Sequence, residues 1–114
     1  MTEQHNNSIS YIEFNVPNVE RARAFYGKAF GWEFVDYGTD YISFNGPTVS
    51  GGFTTGIAGA PGVLVVLYSS ALEKTREAVV AAGGSLTKDI FDFPGGRRFE
   101  FLDPCGNVLA VWSE

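Results

Sequence analysis

The chain has 114 residues, of which 45% are hydrophobic and 15% aromatic, which is enough to build one domain without a disulfide or a structural metal. Its 8 basic against 13 acidic side chains give a net charge of −5, which disfavours nucleic acid and anionic membranes as partners. Cys105 is the single cysteine, and no apolar run approaches the about 20 residues of a transmembrane helix. No export signal opens the sequence, so we expect a cytoplasmic protein.

The first half of the chain predicts a strand, a helix and three more strands. Residues 1–8 are mostly polar and are expected to form a flexible leader. Residues 10–16 alternate with period two, which predicts a strand whose opposite faces carry Ile12, Phe14 and Val16, and Tyr11, Glu13 and Asn15. Asn18 is a candidate N-cap for a helix that ends at Gly31. Three strands are then predicted at 32–35, 41–44 and 49–53.

The second half repeats this order after a segment, 54–62, whose composition predicts a linker. Residues 63–68 form a continuous apolar strand pattern, and Ser69 or Ser70 is a candidate cap for a helix that ends at Gly83 and Gly84. Three strand candidates follow at 85–88, 98–102 and 107–112. Gly95 and Gly96 predict a hairpin turn rather than a phosphate loop, since neither the spacing nor a following helix fits one.

The two halves have the same order of elements, offset by about 53 residues. This repeat predicts an α+β domain over residues 9–113, built from two tandem βαβββ modules at about 9–53 and 63–113. Because a single module cannot cover its own sheet, the modules are expected to form an open curved sheet with the helices outside. The concave side of that sheet is the natural place for a ligand.

Four segments carry a recognisable pattern in this order: Tyr11–Pro17, Glu20–Tyr26, Phe30–Trp32 and Asp103–Asn107. Together they resemble the glyoxalase, bleomycin-resistance and vicinal-oxygen-chelate (dioxygenase) superfamily. The resemblance covers nearly the whole chain, from about Ile9 to Trp112. It implies paired βαβββ modules in an open sheet and a homodimer as the expected assembly.

Metal-dependent members of the family hold a divalent ion with His, Gln or Glu side chains on the first and last strands of the modules. The resemblance places Tyr11, Leu64 and Ala110 at those positions, and these are not a usual ligand set. The only histidine, His5, lies in the leader. We therefore predict no metal and no other cofactor, with a divalent ion such as magnesium as the alternative if Glu13 and Glu100 both face inward.

The residues themselves offer two kinds of site. Glu13 and Glu100 are weak candidates for acid/base catalysis, because a carboxylate on an apolar sheet face has a raised pKa, while pairing with Arg98 or Arg97 is the simpler interpretation. Arg98 shares a strand face with Glu100 and could instead hold an anionic substrate. The predicted ligand-binding residues are aromatic, charged or at the family's ligand positions: Tyr11, Glu13, Tyr41, Phe44, Leu64, Arg98, Glu100, Ala110 and Trp112.

Three functions compete at this point. The favoured hypothesis, which the resemblance supplies, is a metal-free small-molecule binding protein of the bleomycin-resistance type with an aromatic cleft. The second is a metal-dependent lyase, isomerase or dioxygenase with non-standard ligands. The third is an interaction module that works through its dimer surface, which a cleft filled by its own Phe and Tyr side chains would favour.

Overall fold

Two βαβββ units make up the computed structural model, which describes residues 4–46, 48–55 and 62–114. The first unit contains Tyr11–Leu64, and the second contains Gln4–Ser10 together with Val65–Glu114. Most of the predicted linker, at residues 56–61, lies outside the described residues, as do residues 1–3 of the predicted leader. The α+β class and the two βαβββ modules are confirmed.

The first unit folds as a four-stranded sheet with one helix. Its strand order is β2-β3-β4-β1, in which β4 runs parallel to β1 and the other pairs are antiparallel. The first three residues of β1 belong to the second unit. The elements are β1 (Ser8–Asn15), α1 (Val19–Phe30), β2 (Phe34–Asp36), β3 (Tyr41–Phe44) and β4 (Ser50–Thr54).

Both ends of α1 are capped as the sequence predicts. The side-chain oxygen of Asn18 accepts hydrogen bonds from the backbone N–H groups of Glu20, at 2.9 Å, and Arg21, at 3.1 Å. At the other end Gly31 adopts a left-handed conformation, with φ of 73°, which glycine reaches without a steric cost. These caps satisfy backbone groups that a helix end would otherwise leave unbonded.

Replacing Asn18 by alanine is expected to lower the free energy of unfolding by about 1 kcal/mol, because two N–H groups lose their acceptor. Urea denaturation of wild type and variant measures the change. Asn45, which is also exposed but follows a strand, is the control position, and its alanine variant is expected to change stability by less than about 0.5 kcal/mol. Equal losses at the two positions would contradict the capping role.

The core of the first unit lies between α1 and one face of its sheet. Ile42 and Phe53 from the strands are fully buried, and Val19 and Ala22 meet them from the helix. Phe14 stacks on Phe53 with ring centroids 5.0 Å apart. The period-two pattern of β1 therefore points Phe14 toward the helix, as predicted, and the alternate residues of β1 toward the opposite face.

The second unit repeats the arrangement with the strand order β5-β8-β7-β6, in which β5 is parallel to β8. Its core joins Leu72 of the helix to Phe99 and Val111 of the sheet, each at most 2% exposed. Residues 62–64 of the first strand group with the first unit. The elements are β5 (Gly62–Tyr68), α2 (Leu72–Ala81), β6 (Ser85–Phe93), β7 (Gly96–Leu102) and β8 (Val108–Ser113).

Two local predictions for the second unit are wrong. Ala71, not Ser69 or Ser70, is the N-cap of α2, and no side chain caps it. The Ser69 hydroxyl is buried; it bonds the Thr75 hydroxyl at 2.6 Å and accepts from the backbone N–H of Ala71 at 3.1 Å, so it lies beside the start of the helix without being its N-cap. Strand β6 runs to Phe93 instead of ending near 88, because its distal half pairs with β7 up to Gly96.

The leader contributes to the second unit from Asn6 onward. The backbone N–H of Asn7 donates to the carbonyl of Tyr68 at 2.7 Å, and the Asn6 side chain accepts from the N–H of Ser70 at 2.8 Å. Strand β1 then begins at Ser8. Neither of the described helices has the length and apolar content to cross a bilayer.

Candidate functional site

In each unit the sheet has one face against the helix and an opposite face, which we call the helix-free face. In the first unit the register places Glu13 beside Gly52, and Gly52 beside Ser43, on this face. Tyr41 lies two residues before Ser43 on β3, opposite Thr54, and therefore on the same face. The strand parity predicted for Tyr11 and Glu13 thus brings both to the helix-free face, where Tyr41 joins them.

The side chains of Tyr11, Tyr41 and Glu13 form a hydrogen-bonded cluster on this face. The hydroxyls of Tyr11 and Tyr41 are in direct contact. The Tyr41 hydroxyl also donates to a carboxylate oxygen of Glu13 at 3.3 Å. All three side chains are half-buried. The cluster therefore joins two phenols to a carboxylate at the surface of the sheet.

Gly52 makes room for this cluster. A Cβ atom at position 52 would lie 2.6 Å from the Tyr11 hydroxyl oxygen and 2.6 Å from Cζ of Tyr41, closer than real Cβ contacts come. The Tyr41 ring can cross strand β4 toward Tyr11 because residue 52 has no side chain. Residue 52 thus belongs to the candidate site, and sequence reasoning missed it, since a glycine in a strand carries no pattern of its own.

The phenol of Tyr41 keeps its proton at neutral pH. Burial raises the pKa of this phenol above its usual value, because the phenolate would be poorly solvated, and the hydrogen bond with Tyr11 and the nearby Glu13 raise it further. Tyr41 consequently has one proton to donate.

The helix-free face of the second unit carries an ion pair surrounded by aromatic rings. Nη2 of Arg98 lies 2.9 Å from Oε2 of Glu100, and the two side chains are only 19% and 16% exposed. The Arg98 guanidinium carbon lies 5.4 Å from the ring centre of Phe91 and 5.9 Å from that of Phe93. We call Arg98, Glu100, Phe91, Phe93 and Trp112 the Arg98 cluster.

Trp112 completes this cluster. Its indole N–H donates to the Ser10 hydroxyl at 3.0 Å, and its ring meets those of Tyr68 and Phe93 at centroid distances of 5.1 and 6.4 Å. The Tyr68 hydroxyl donates to the carboxylate of Glu114 at 2.8 Å, and this bond raises the pKa of the phenol. Trp112 is thus held by a polar contact at one end and aromatic contacts along its sides.

Phe44 and Leu64 are predicted ligand-binding residues that lie outside these clusters, and Ala110 is buried next to one of them. Phe44 packs on the helix side of its sheet, where its ring centre is 4.4 Å from that of Trp32. Ala110 is fully buried on β8, where it pairs with Val66 on one side and with Glu100 of the Arg98 cluster on the other. Leu64 is half-buried on β5. Phe91 and Phe93 were missed because β6 was predicted to end early, although their alternation with Asp92 follows the strand pattern.

A catalytic divalent metal of the family type needs about three converging protein ligands. Within the residues that the structure describes, no three His, Cys, Asp or Glu side chains come together. Glu100 is bonded to Arg98, and Glu13 to a phenol that holds its proton. These donors do not fit such an ion, and the metal-free state remains a prediction.

Comparison with known proteins shows the family to which the chain belongs. The model of the Glyoxalase/Bleomycin resistance protein/Dioxygenase superfamily matches residues 8–111. The anthracycline biosynthesis protein DnrV of Streptomyces peucetius is 32% identical in an alignment 111 residues long, and the match covers 91% of this chain and 40% of DnrV. The chain therefore spans less than half the length of that relative.

Solved structures share the fold at low identity. The Mn(II)-bound glyoxalase from Novosphingobium aromaticivorans has a TM-score of 0.73 at 22% identity, over 97% of this chain and 40% of that one. Methylmalonyl-CoA epimerase from Mycobacterium tuberculosis has a TM-score of 0.73 at 11% identity, over 99% and 91%. At such identities the likeness shows the fold alone.

Proposed function

Because this chain belongs to the Glyoxalase/Bleomycin resistance protein/Dioxygenase superfamily, we propose that it binds a small planar organic molecule, without a metal, on the helix-free face of its second unit. The observation that carries the proposal is the Arg98 cluster, an ion pair held among three aromatic rings. Such a cluster combines a fixed donor, a fixed acceptor and flat apolar surfaces, which are the elements of a small-molecule site.

The chemistry of the cluster defines the ligand class. Trp112 and Phe93 supply ring faces and edges for stacking on a planar molecule, which adds to the burial of its area. Arg98 and Glu100 can orient polar substituents, since charge-assisted hydrogen bonds are stronger and more directional than neutral ones. The name of the relative DnrV supports the same ligand class, because anthracyclines are planar fused-ring molecules with hydroxyl substituents.

Arg98→Met is expected to weaken the binding of an anthracycline about tenfold, because the ligand loses a charge-assisted hydrogen bond while the apolar stem is kept. Isothermal titration of wild type and variant measures the dissociation constants. Arg97→Met is the matched control. Arg97 is the neighbouring residue on β7, but its side chain points to the helix side and pairs with Glu73 at 2.5 Å, so its loss is expected to leave affinity unchanged.

Two outcomes would overturn the proposal: no binding by the wild-type protein, or equal losses in the two arginine variants. The metal-free part is tested in the same titration. Protein treated with a chelator is expected to bind as tightly as protein supplied with manganese, nickel or zinc. A requirement for one of these ions would instead support the metal-dependent lyase, isomerase or dioxygenase.

A further inference from the structure

A second cation lies at the Phe91 ring of the Arg98 cluster. Nζ of Lys88 is 5.1 Å from the centre of this ring, and the guanidinium carbon of Arg98 is 5.4 Å from the same centre. Both distances are within the range at which a cation is attracted to an aromatic face. The carboxylate of Glu100 is bonded to Arg98 and offsets its charge. Lys88, whose side chain is exposed, therefore adds positive charge beside the aromatic rings.

An irregularity in strand β6 brings Lys88 to the helix-free face. Leu86 packs into the core on the helix side, and regular alternation would send Lys88 to that side as well. Instead the register between β6 and β7 shifts on both sides of Lys88, which pairs with Glu100, while Phe91 pairs with Arg98. Irregularities of this kind turn a side chain to the other face and are frequent beside active sites. The backbone of β6 thus places the ammonium next to the cluster.

We propose that Lys88 is a specificity-determining residue, which selects planar ligands that carry a carboxylate over neutral ligands of the same shape. The inference rests on the proposed function, which supplies the planar ligand, and it adds the charge of the ligand's substituent. An ammonium has three donors on a flexible stem, so it can reach an anionic group at the rim of a molecule that stacks on the rings. Because the whole chain has a net charge of −5, such a preference needs a local cation.

The probes for the test are 2-naphthoate and 2-naphthamide, which have the same rings and nearly the same shape. The carboxylate is ionised at neutral pH, whereas the amide is uncharged. Wild-type protein is expected to bind 2-naphthoate about fivefold more tightly, the gain from one ion pair at an exposed position. Equilibrium dialysis at low salt gives both dissociation constants. In about 1 M sodium chloride the ratio is expected to fall toward one, because salt screens exposed charges.

Three lysine variants identify the source of the preference. Lys88→Met keeps the apolar stem and is expected to abolish the preference through weaker binding of 2-naphthoate alone. Lys88→Arg is expected to retain it, since the charge and the donors remain. Lys74→Met is the control, because Lys74 is an exposed lysine of the same unit on α2, on the other side of the sheet, and its ratio is expected to match that of wild type.

A Trp112→Leu variant tests whether both probes bind at the Arg98 cluster. It is expected to weaken both about equally, because stacking on the indole does not depend on the charge of the substituent. Unchanged affinities would show that the probes bind elsewhere and would overturn the inference. Thermal unfolding monitored by circular dichroism shows that each variant is folded.

The remaining outcomes separate this inference from the proposed function. If wild-type protein binds the two probes equally, or if Lys88→Met keeps the wild-type ratio, the inference fails and the planar-ligand site stands. If wild-type protein binds neither probe up to its solubility limit, both fail together.

Discussion

Replacing Phe53 by alanine is expected to lower the free energy of unfolding by about 3–5 kcal/mol, the largest loss from a single side chain in the first unit. Phe53 is fully buried. Its ring lies 5.0 Å from that of Phe14 and 5.1 Å from that of Tyr26, so truncation removes contacts on several sides and leaves a cavity. For a domain of this size the loss is a large fraction of the total stability.

Urea denaturation followed by circular dichroism measures this loss. The matched control is Phe25→Ala, because Phe25 lies on the outer side of α1 and is 59% exposed. Its change is expected to stay below about 1 kcal/mol. If the two alanine variants lose the same stability, the assignment of the core to the face between α1 and the sheet is wrong.

Removing either partner of the Arg98–Glu100 ion pair is expected to cause the second large loss of stability. Removing one partner leaves the other largely buried without that bond, so Arg98→Met and Glu100→Leu are each expected to cost about 2 kcal/mol, between the values for exposed and fully buried pairs. The double variant is expected to cost less than the sum of the two single variants, because neither charge then remains to be separated.

A double-mutant cycle by urea denaturation measures this coupling energy, expected to be about 1–2 kcal/mol. The pair Arg76 and Asp89 provides the control cycle. Its atoms are as close, at 2.7 Å, but Asp89 is 62% exposed, so water screens the charges and the coupling is expected to be below about 1 kcal/mol. Equal coupling in the two cycles would show that burial does not strengthen the Arg98 pair.

Much of the fold follows from short-range patterns. Helix α1 begins after Asn18 and ends at Gly31 because a capping amide and a left-handed glycine act within one turn of the helix, and both are visible in the sequence. Period-two alternation likewise separated Phe14 from Tyr11 and Glu13, since strand geometry alone sets the faces. The repeated order of elements then predicted the two βαβββ modules.

Which side chains meet in the candidate sites could not be predicted in the same way. Phe44 was expected among the ligand-binding residues, but strand parity on β3 sends it to the helix side and Tyr41 to the other. Alternation alone puts these two residues on opposite faces, but which face meets the helix depends on the register between β3 and β4, which backbone pairing between distant segments decides. Ser69 is a second example, because its hydroxyl bonds both the Thr75 hydroxyl and the N–H of Ala71, while Ala71 itself takes the N-cap position.

By itself, the sequence determined the α+β class, the duplicated modules, the family and the residue types available for chemistry. Only the tertiary structure decided that Tyr41 crosses Gly52 to reach Tyr11 and Glu13, and that Arg98 lies between Glu100 and the rings of β6. The physical reason is the distance along the chain over which each kind of interaction acts. Caps and periodicity act over a few neighbouring residues, whereas a hydrogen bond between side chains 30 positions apart exists only once the strands have paired.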